Sequence, residues 1–362
     1  MNICIVAGAR PNFVKIAPLA RAIDAARDGG NDIDYTLVYA GVENDPTLEP
    51  SLFADLEVRR PDVYLGVDCT NLNELTGRVM SEFDNYLASH PTDTVIVVDD
   101  LASTMAAAIV TKKRGIRLAH LVAGTRSFDI NMPKEINRLV IDGLSDLLFT
   151  AGMSNTSTAN REGAELSKVY MVGNILMDTL RHNRMRLVRP QVFDNLGLEP
   201  GSYIVLTVNR KALLADKAKL KSMIDSLAYS AGNVRVIAAL RSQACSVVAP
   251  MAEGHSNITI TEPLTYLEFG YLTANAMGVV TDSGNVAEEA TFNGVPCITL
   301  NSYTEHIETV KCGSNVLVGE DADKLSATVQ DMVSSRWKKC ALPDRWDGRT
   351  SERIVQILME AK

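Results

Sequence analysis

Short apolar runs alternate along the chain with segments in which apolar residues recur at helical spacing. The first run, NICIVAG at residues 2–8, ends in a glycine and precedes the helical pattern RPNFVKIAPLARAIDAA. The same succession of strand, tight turn and helix returns at TLVYAG, TVIVVDD, RLAHLVAG and LLFTAG. Because these strands are continuously apolar, we predict a parallel sheet that is covered by helices on both faces.

A second series of the same kind follows in the other half of the chain, at SYIVLTVN, VRVIAAL, ITITEP, MGVVTDSG and PCITL. A helical, arginine-bearing stretch at residues 173–190 separates the two series, and 362 residues are enough for two cores. We predict two Rossmann-like, doubly wound α/β domains, at residues 1–175 and 176–345, and a terminal helix at 346–362 whose docking stays open. Two such domains that face a cleft would bind ligands beyond the carboxyl ends of their strands.

The composition excludes several classes of function. The formal net charge of -8 leaves no basic surface for a nucleic-acid backbone, and the longest apolar runs have the length of strands rather than membrane helices. The six cysteines have no CxxC spacing, and the five histidines form no HxxxH or HExxH pattern. The N-terminus lacks the pattern of a signal peptide. We therefore expect a cytoplasmic protein with no metal, no cofactor and neither a nucleic-acid nor a membrane partner.

The segment VVTDSGNVAEEATFNG in the second half predicts an anion site at the start of a helix. Ser283 would add a hydroxyl to the free N–H groups there, and Gly284 would leave room for a diphosphate. Glu288 and Glu289 follow one turn later, where a carboxylate could accept the hydroxyls of a ribose. The same residues could equally serve as a helix cap and as favourable dipole partners.

The turn GARPNFVK in the first half makes a similar prediction. Arg10 and Lys15 could donate to an anion, although Arg10 next to a proline could also be an ordinary residue of a surface turn.

Several segments together resemble the non-hydrolysing UDP-N-acetylglucosamine 2-epimerases over nearly the whole chain. They are GARPNFVKIAPLARAI, DLASTMAAAIVTKKRGI, AGTRSFDINMPKEINRLVID, SDLLF, VGNILMDTL and TDSGNVAEEATFNGVPCITL with TEHIE. The resemblance implies a GT-B type fold of two Rossmann-like domains, a UDP-sugar in the cleft between them, and often a dimer. It also implies a place in polysaccharide or surface-glycan synthesis.

Members of that family invert C2 of the sugar by eliminating UDP and adding it back, which requires groups that remove and return a proton. Where the family has GD after a strand, this chain has Asp99 and Asp100, so the aspartate is kept and the glycine is replaced.

The other proton-transfer positions of the family are changed. Val122 stands at the glutamate of HVEAG, Lys134 at the first glutamate of PEEINR, and Asn209 at the histidine of TGHRRE. Only the second glutamate of PEEINR remains, as Glu135, and Arg241 replaces the histidine of a later HPR motif. Losing several members of a catalytic set leaves mainly binding. We expect the ordinary epimerase mechanism to be lost or strongly impaired.

The nucleotide side of the family pattern is better preserved. The resemblance places these residues near the UDP-sugar: Arg10, Lys15, Asn137, Arg138, Ser283, Gly284 and Glu289. In the loop that usually reads GQH, however, Val42 and Glu43 replace residues that the family places beside bound nucleotide sugar.

Three hypotheses remain open. In the first, the chain binds UDP or a UDP-sugar without turnover, as a pseudoenzyme that pairs with itself or with a paralogue. In the second, it is an enzyme that uses Asp100 with Asp99, Glu43, Lys134 or Glu135 on another nucleotide sugar, for example in glycosyl transfer.

In the third hypothesis, the family activity persists through relocated residues. Alternatively, Lys134 or Arg241 could simply pair with Asp100 or Glu289 where no ligand is bound. The sequence does not identify the sugar.

Overall fold

Residues 1–360 are described by the computed structural model, and their contacts divide the chain into two α/β units. The first unit comprises Met1–Arg181 together with the segment from Asp344 onward, and the second comprises His182–Pro343. Each unit is built on one parallel sheet, as the continuous apolar strands predict.

The first unit contains a 7-stranded sheet in the order β3-β2-β1-β4-β5-β6-β7. Its strands are β1 (Asn2–Ala7), β2 (Asp34–Tyr39), β3 (Val63–Tyr64), β4 (Thr94–Val98), β5 (Arg117–Ala123), β6 (Leu147–Thr150) and β7 (Val169–Met171). Its helices are α1 (Arg10–Asp28), α2 (Pro50–Leu56), α3 (Leu72–Ser89), α4 (Ala102–Lys113), α5 (Pro133–Leu144) and α6 (Met153–Arg161). A further helix, α7 (Leu176–Asn183), spans the division between the units.

The second unit contains a 6-stranded sheet in the order β10-β9-β8-β11-β12-β13. Its strands are β8 (Tyr203–Thr207), β9 (Arg235–Ala238), β10 (Ile258–Ile260), β11 (Gly278–Thr281), β12 (Cys297–Thr299) and β13 (Asn315–Leu317). Its helices are α8 (Gln191–Asn195), α9 (Lys211–Ala215), α10 (Lys217–Ala231), α11 (Ser242–Ala252), α12 (Tyr266–Ala274), α13 (Gly284–Asn293), α14 (Glu308–Lys311) and α15 (Ala322–Val333).

The sheet of the second unit is buried on both faces. Leu206 and Val280 belong to one apolar cluster, while their chain neighbours Val205 and Val279 belong to another. Successive side chains of a strand point to opposite faces, so the two clusters lie on the two sides of the sheet. This arrangement explains why the strands read as uninterrupted apolar runs.

Each sheet has a point at which the strand order reverses. In the first unit this switch point lies between β1 and β4, and in the second between β8 and β11. The turns that follow these four strands therefore meet in pairs at the carboxyl edge of each sheet, where doubly wound proteins bind ligands. Several residues singled out in the sequence lie on or beside these turns, namely Arg10, Asp99, Asp100, Asn209, Ser283 and Gly284.

The last segment belongs to the first unit, although the sequence left its docking open. A final helix, α16 (Thr350–Glu360), packs against α1, and the indole N–H of the buried Trp346 donates to the carbonyl of Ala151 at 3.0 Å. The division between the units follows Arg181 rather than residue 175, because the first turns of α7 are bonded into the first unit. The hydroxyl of Thr179, for example, donates to the carbonyl of Val14 at 2.5 Å.

No helix within residues 1–360 is long and apolar enough to cross a membrane. In the same part of the chain, no three His, Cys, Asp or Glu side chains are grouped so that they could hold a metal ion.

Asp178 anchors the start of α16, and its removal should destabilise the first unit. The buried Asp178 carboxylate accepts the N–H of Thr350 at 3.0 Å, and the N–H and hydroxyl of Ser351 at 2.7 and 2.6 Å. Asp178→Ala leaves these buried donors without an acceptor. We expect a loss of about 2–4 kcal/mol in the free energy of unfolding, measured by chemical denaturation.

The matched control is Asp347→Ala, which removes a carboxylate of the same segment that pairs with Arg353 at the surface. An exposed pair of this kind contributes less than about 1 kcal/mol. Equal losses for the two variants would contradict the anchoring role of Asp178.

Candidate functional site

Asn12, in the first turn of α1, joins the two turns at the switch point of the first unit. Its side-chain oxygen accepts the N–H groups of Gly8 and Ala9 at 2.8 and 3.1 Å, and its amide donates to the Asp99 carboxylate at 2.8 Å. A Cβ at Gly8 would lie 2.1 Å from the hydroxyl oxygen of Ser103 and 2.9 Å from a methyl group of Leu101, so any other residue would displace these side chains. The turns after β1 and β4 are therefore held together by one buried side chain.

The two cations predicted from GARPNFVK are both paired with carboxylates of the chain. The Lys15 ammonium lies 2.5 Å from the Asp99 carboxylate, and both side chains are largely buried. The Arg10 guanidinium lies 3.2 Å from the more exposed Glu49 carboxylate. A ligand anion at either cation has to compete with an acid of the protein itself.

Asp100 forms a charged cluster with α5. Its carboxylate lies 2.6 Å from the guanidinium of Arg138 and 3.1 Å from the ammonium of Lys134, while Asn137 donates to its carbonyl at 2.8 Å. Burial by itself would raise the pKa of Asp100, but the charges and hydrogen bonds of Lys134 and Arg138 outweigh it and lower the pKa. The suggested pairing of Lys134 with Asp100 is thus confirmed.

The second glutamate of the PKEINR motif is committed to holding a loop. The Glu135 carboxylate accepts the N–H and hydroxyl of Ser127 at 2.8 and 2.9 Å and the N–H of Phe128 at 3.0 Å, and it lies 3.2 Å from Arg138. Burial would raise its pKa, but these donors and the charge of Arg138 lower it. Glu135 is therefore a loop anchor, and its carboxylate has little freedom to act as an acid.

Val122 lies in a strained part of β5. Its φ of 77° is in the left-handed region, which β-branched residues rarely adopt, and the pairing of β5 with β6 shifts register between Leu121 and Ala123. Backbone strain of this kind concentrates at functional positions. The side chain at this position, however, carries no group that can move a proton.

At the switch point of the second unit, Asp282 joins the turns after β8 and β11. Its carboxylate accepts the N–H of Asn209 at 2.8 and 3.0 Å and the N–H of Arg210 at 2.7 Å. Asn209 itself is exposed on the turn. Asp282 has the same structural role here as Asn12 in the first unit.

The start of α13 is open on the side where a ligand would bind. Ser283 is the N-cap residue, but its hydroxyl makes no capping hydrogen bond, and Gly284 is exposed. Apart from its chain neighbours and the backbone of its own helix, a Cβ added at Gly284 would meet no atom within 4 Å. The free N–H groups of this first turn and the Ser283 hydroxyl can therefore bind an anion.

Glu289 lies on the same helix and is buried, with 7% of its surface exposed. No donor from residues 1–360 is found to hydrogen-bond its carboxyl group, although its neighbour Glu288 lies 3.7 Å from the imidazole of His306. Burial, followed by the negative charge of Glu288, raises the pKa of Glu289 to about 8. Buried polar groups are normally hydrogen-bonded, so this carboxyl is suited to a ligand that supplies hydroxyls.

A buried network behind the first switch point was missed from the sequence. The carboxylate of Asp142 lies 2.6 Å from His120 and 2.8 Å from Arg126, and it accepts the N–H of Gly124 at 3.0 Å. The guanidinium of Arg126 also pairs with the Glu162 carboxylate. In the sequence, the spacing of Asp142 on α5 places it on the inner face of that helix. Its contact partners are distant in sequence, so the network itself could not be identified from that spacing.

The loop that carries Val42 lines a cavity of the first unit that Gly8 and Ser103 also border. The cavity has a volume of about 250 Å³ and is bordered by Tyr39, Val42, Asp45 and Asp68. The phenol of Tyr39 donates to the Asp45 carboxylate at 2.6 Å. The lining includes two carboxylates and, among its residues, no lysine or arginine, so this cavity does not suit a diphosphate.

The predicted site residues thus form two groups. Arg10, Lys15, Asp100, Lys134 and Arg138 surround the first switch point, with Val122 on the neighbouring strand. The second group, at the second switch point, consists of Asn209, Ser283, Gly284 and Glu289. Two doubly wound domains of the GT-B type with polar switch points define a class of proteins that bind nucleotides or nucleotide sugars.

Comparison with known proteins identifies the family. The family model described as UDP-N-acetylglucosamine 2-epimerase matches residues 25–359. This chain belongs to the UDP-N-acetylglucosamine 2-epimerase family, as its sequence motifs predict.

Relatives match over almost their full length. A UDP-N-acetylglucosamine 2-epimerase of Methanocaldococcus jannaschii is 32% identical over 374 residues, which cover 100% of both chains. A UDP-2,3-diacetamido-2,3-dideoxy-D-glucuronate 2-epimerase of Pseudomonas aeruginosa is 31% identical, over 91% of this chain and 94% of its own.

A crystal structure of the M. jannaschii UDP-GlcNAc 2-epimerase in complex with UDP-GlcNAc and UDP superposes with a TM-score of 0.85 at 31% identity. The match covers 99% of this chain and 100% of that one. The predicted fold class is confirmed.

The raised pKa of Glu289 gives a pH-dependent stability. In the unfolded chain this carboxyl ionises near pH 4.5, whereas in the folded chain it does so near 8. Its contribution to stability is therefore fully present below pH 4.5 and is lost as the pH rises toward 8. Glu289→Gln is neutral at every pH. We expect the stability of this variant relative to wild type to increase by up to about 1.4 kcal/mol per pH unit across that range and to level off above it.

The measurement is chemical denaturation of both proteins between pH 5 and 9. Glu253→Gln, an exposed position of the same unit, is the matched control and should give a difference that does not vary with pH. A pH-independent difference for Glu289→Gln would contradict the burial of a protonated carboxyl.

Proposed function

We propose that this chain binds a UDP-linked sugar and has lost most of the C2 epimerisation after which its relatives are named. The observation that carries the proposal is the open first turn of α13, followed on the same helix by the buried carboxyl of Glu289. The UDP moiety is assigned to the second unit, and the groups that would act on the sugar are assigned to the first.

The diphosphate is assigned to Ser283, Gly284 and the N-terminal turn of α13. A helix N-terminus binds phosphate through unpaired N–H groups and the positive end of its dipole. The space beside Gly284, which no atom of the chain fills, leaves room for the ligand. The family resemblance assigns Arg10 and Lys15 to the nucleotide as well.

The ribose is assigned to Glu289. Five residues of helix separate it from Gly284, a rise of roughly 7.5 Å, so phosphate and ribose can be held along one helix. A buried carboxyl without a protein donor gains hydrogen bonds when two vicinal hydroxyls bind beside it.

The side chains that would remove and return the proton at C2 are missing in this proposal. Epimerisation requires a base that removes a proton and an acid that returns one, and Val122, Lys134 and Asn209 replace the family's residues for these steps. The remaining carboxylates have lowered pKa values and fixed partners: Asp100 is held by Arg138 and Lys134, and Glu135 by the loop at Ser127. Each is a stable anion rather than a proton donor.

The cellular role proposed for such a protein is regulatory or structural. It would act as a homodimer or as the partner of an active paralogue in cytoplasmic nucleotide-sugar metabolism for surface glycans. Light scattering of the purified chain, alone and mixed with an active family member, tests this role.

A second candidate function is an active enzyme, and one observation favours it. The ammonium of Lys134 is about half exposed, with 54% of its side chain accessible, and lies 3.1 Å from the Asp100 carboxylate. A lysine and a carboxylate at this distance can share a proton during a reaction. Such an enzyme would epimerise a UDP-hexosamine through relocated residues or act on another nucleotide sugar, for example by glycosyl transfer.

The first test is calorimetric titration of the purified chain with UDP and UDP-N-acetylglucosamine, followed by proton NMR of the same samples in D₂O. We expect both ligands to bind and C2 of the sugar to keep its proton. Deuterium at C2 at a rate typical of epimerases would overturn the loss of turnover. Absence of binding would overturn the assignment of the UDP site.

Gly284→Asp is the matched control for this titration. It places a carboxylate in the space assigned to the diphosphate, where it meets no other atom of the chain within 4 Å of its Cβ. An acid at a helix N-terminus does not destabilise the helix. We expect at least about tenfold weaker UDP binding, since like charges repel, with an unchanged melting temperature.

Restoring the proton-transfer groups should restore exchange at C2. In the triple variant Val122→Glu, Lys134→Glu, Asn209→His, we expect the rate of deuterium incorporation to rise by at least about 100-fold, the usual contribution of general acid–base catalysis. The same triple variant with Asp100→Asn is the control and should stay inactive. A triple variant that binds UDP-N-acetylglucosamine but exchanges no more than wild type would contradict the assignment of these positions.

A further inference from the structure

The coil that follows α15 in the second unit is bonded to the segment between α14 and β13. The indole N–H of Trp337 donates to the carbonyl of Ser314 at 3.0 Å, and the ammonium of Lys338 donates to the carbonyl of Val310 at 2.5 Å. All four residues belong to the second unit. The coil is therefore held against the end of α14 by the side chains of two consecutive residues.

A third hydrogen bond brings Cys312 and Cys340 together. The N–H of Ala341 donates to the carbonyl of Cys312 at 2.8 Å. Standard backbone dimensions place this nitrogen and this oxygen about 2.4 Å from the Cα atoms of Cys340 and Cys312, so these Cα atoms are at most roughly 7.6 Å apart. That limit applies to a straight path, and any bend shortens it toward the range of about 4.4–6.8 Å that a disulfide requires.

Both thiols are reduced, and both interact with the same ammonium group. Cys340 is exposed and its thiol donates to the carbonyl of Lys338 at 3.2 Å, while the half-buried Cys312 donates to the carbonyl of Glu308 at 3.3 Å. Burial lowers the pKa of Lys338, whereas the thiols of Cys340 and Cys312 act on it in the opposite direction. A neighbouring ammonium favours the thiolate, which is the nucleophilic form of cysteine.

A third cysteine that interacts with Lys338 has different surroundings. Cys297 lies on β12 and is completely buried, and this burial raises its pKa to about 12. A thiol in such apolar surroundings is unreactive. Of the three cysteines around Lys338, only Cys312 and Cys340 are therefore suited to redox chemistry.

We propose that Cys312 and Cys340, beside Lys338, form a dithiol that hydrogen peroxide oxidises to an intramolecular disulfide. The thiolate of the exposed Cys340 attacks one oxygen of the peroxide and the O–O bond breaks, which leaves a sulfenic acid and a hydroxide. The thiolate of Cys312 then attacks the sulfenic sulfur, so that the S–S bond forms and a second hydroxide leaves. Each hydroxide takes up the proton that one thiol released. Two thiols thus lose two electrons, and one peroxide is reduced to two water molecules.

The disulfide would connect two points of the second unit that are distant in sequence. Cys312 is the residue that ends α14, and Cys340 comes shortly before Asp344, at which the chain returns to the first unit. In a reducing compartment such a bond is transient, because thiol–disulfide exchange reverses it. This inference does not depend on the proposed function, since no nucleotide or sugar takes part.

The test is peptide mapping of the purified full-length chain before and after treatment with equimolar hydrogen peroxide. Trypsin releases residues 312–324 and 340–345 as separate peptides, and each contains one cysteine. We expect the two peptides to be linked after oxidation and separate again after reduction with dithiothreitol. The intact chain should lose two hydrogen atoms in mass and should still migrate as a single chain on a non-reducing denaturing gel.

Cysteine variants identify the two partners. Cys312→Ser and Cys340→Ser should both prevent the link. Cys312→Ser should in addition stop the reaction at the sulfenic acid of Cys340, which dimedone traps. Cys245→Ser is the matched control, because Cys245 is half-buried in the same unit, and it should form the link as wild type does.

A second set of variants isolates the role of the ammonium group. Lys338→Met should slow formation of the link by about tenfold, since the thiolates lose their neighbouring cation. Lys338→Arg keeps the charge and should retain most of the rate. Lys339→Met removes an exposed charge from the next residue and should leave the rate unchanged.

The wild-type chain alone decides the main question. A link between the peptides 312–324 and 340–345 within one chain supports the inference. Peroxide treatment that leaves Cys340 unmodified, carries it to a sulfinic acid without a link, or links it to another cysteine overturns the inference. Equal rates for Lys338→Met and wild type overturn the role of Lys338. The titration with UDP described above tests the proposed function separately.

Discussion

The buried ion pair between Asp100 and Arg138 is the interaction on which the first switch point depends. It joins the carboxyl end of β4 to α5, and Arg138 also contacts Glu135, which fixes the loop at Ser127. Removing one member of such a pair leaves an uncompensated buried charge, at a cost of about 3–5 kcal/mol. Asp100 therefore stabilises the fold whatever the chemistry, so its presence does not by itself indicate an active enzyme.

Both units use the same construction to shape their ligand-binding edge. One polar side chain crosses from one turn to the neighbouring turn: Asn12 between the turns after β1 and β4, and Asp282 between those after β8 and β11. The bonds of Asp282 are made to backbone N–H groups, whereas Asn12 reaches the turn after β4 through the side-chain carboxylate of Asp99.

The sequence predicts the sheets well, because a strand buried on both faces must be apolar at every position. It also places Ser283 and Gly284 at a helix start, since strand, turn and helix are local features. It does not predict that Asp99 turns toward Lys15, because that contact spans 84 residues and depends on a left-handed backbone. The docking of α16 on Asp178 is hidden for the same reason, since its partners are 172 and 173 residues away.

The charged residues at the first switch point occur in pairs of opposite sign. Lys134 and Asp99 add charges at the first switch point, and each lies beside an opposite charge, Asp100 and Lys15 respectively. A charge at such a site without a partner would cost more than most single interactions contribute. The result is a set of charges that are paired with one another within the first unit. Glu289 in the second unit differs from these paired charges. Its pKa is raised, and it has no neutralising partner within residues 1–360. The two units thus differ in their electrostatics: Glu289 of the second unit is a buried carboxyl with a raised pKa, whereas the first unit pairs its charges internally.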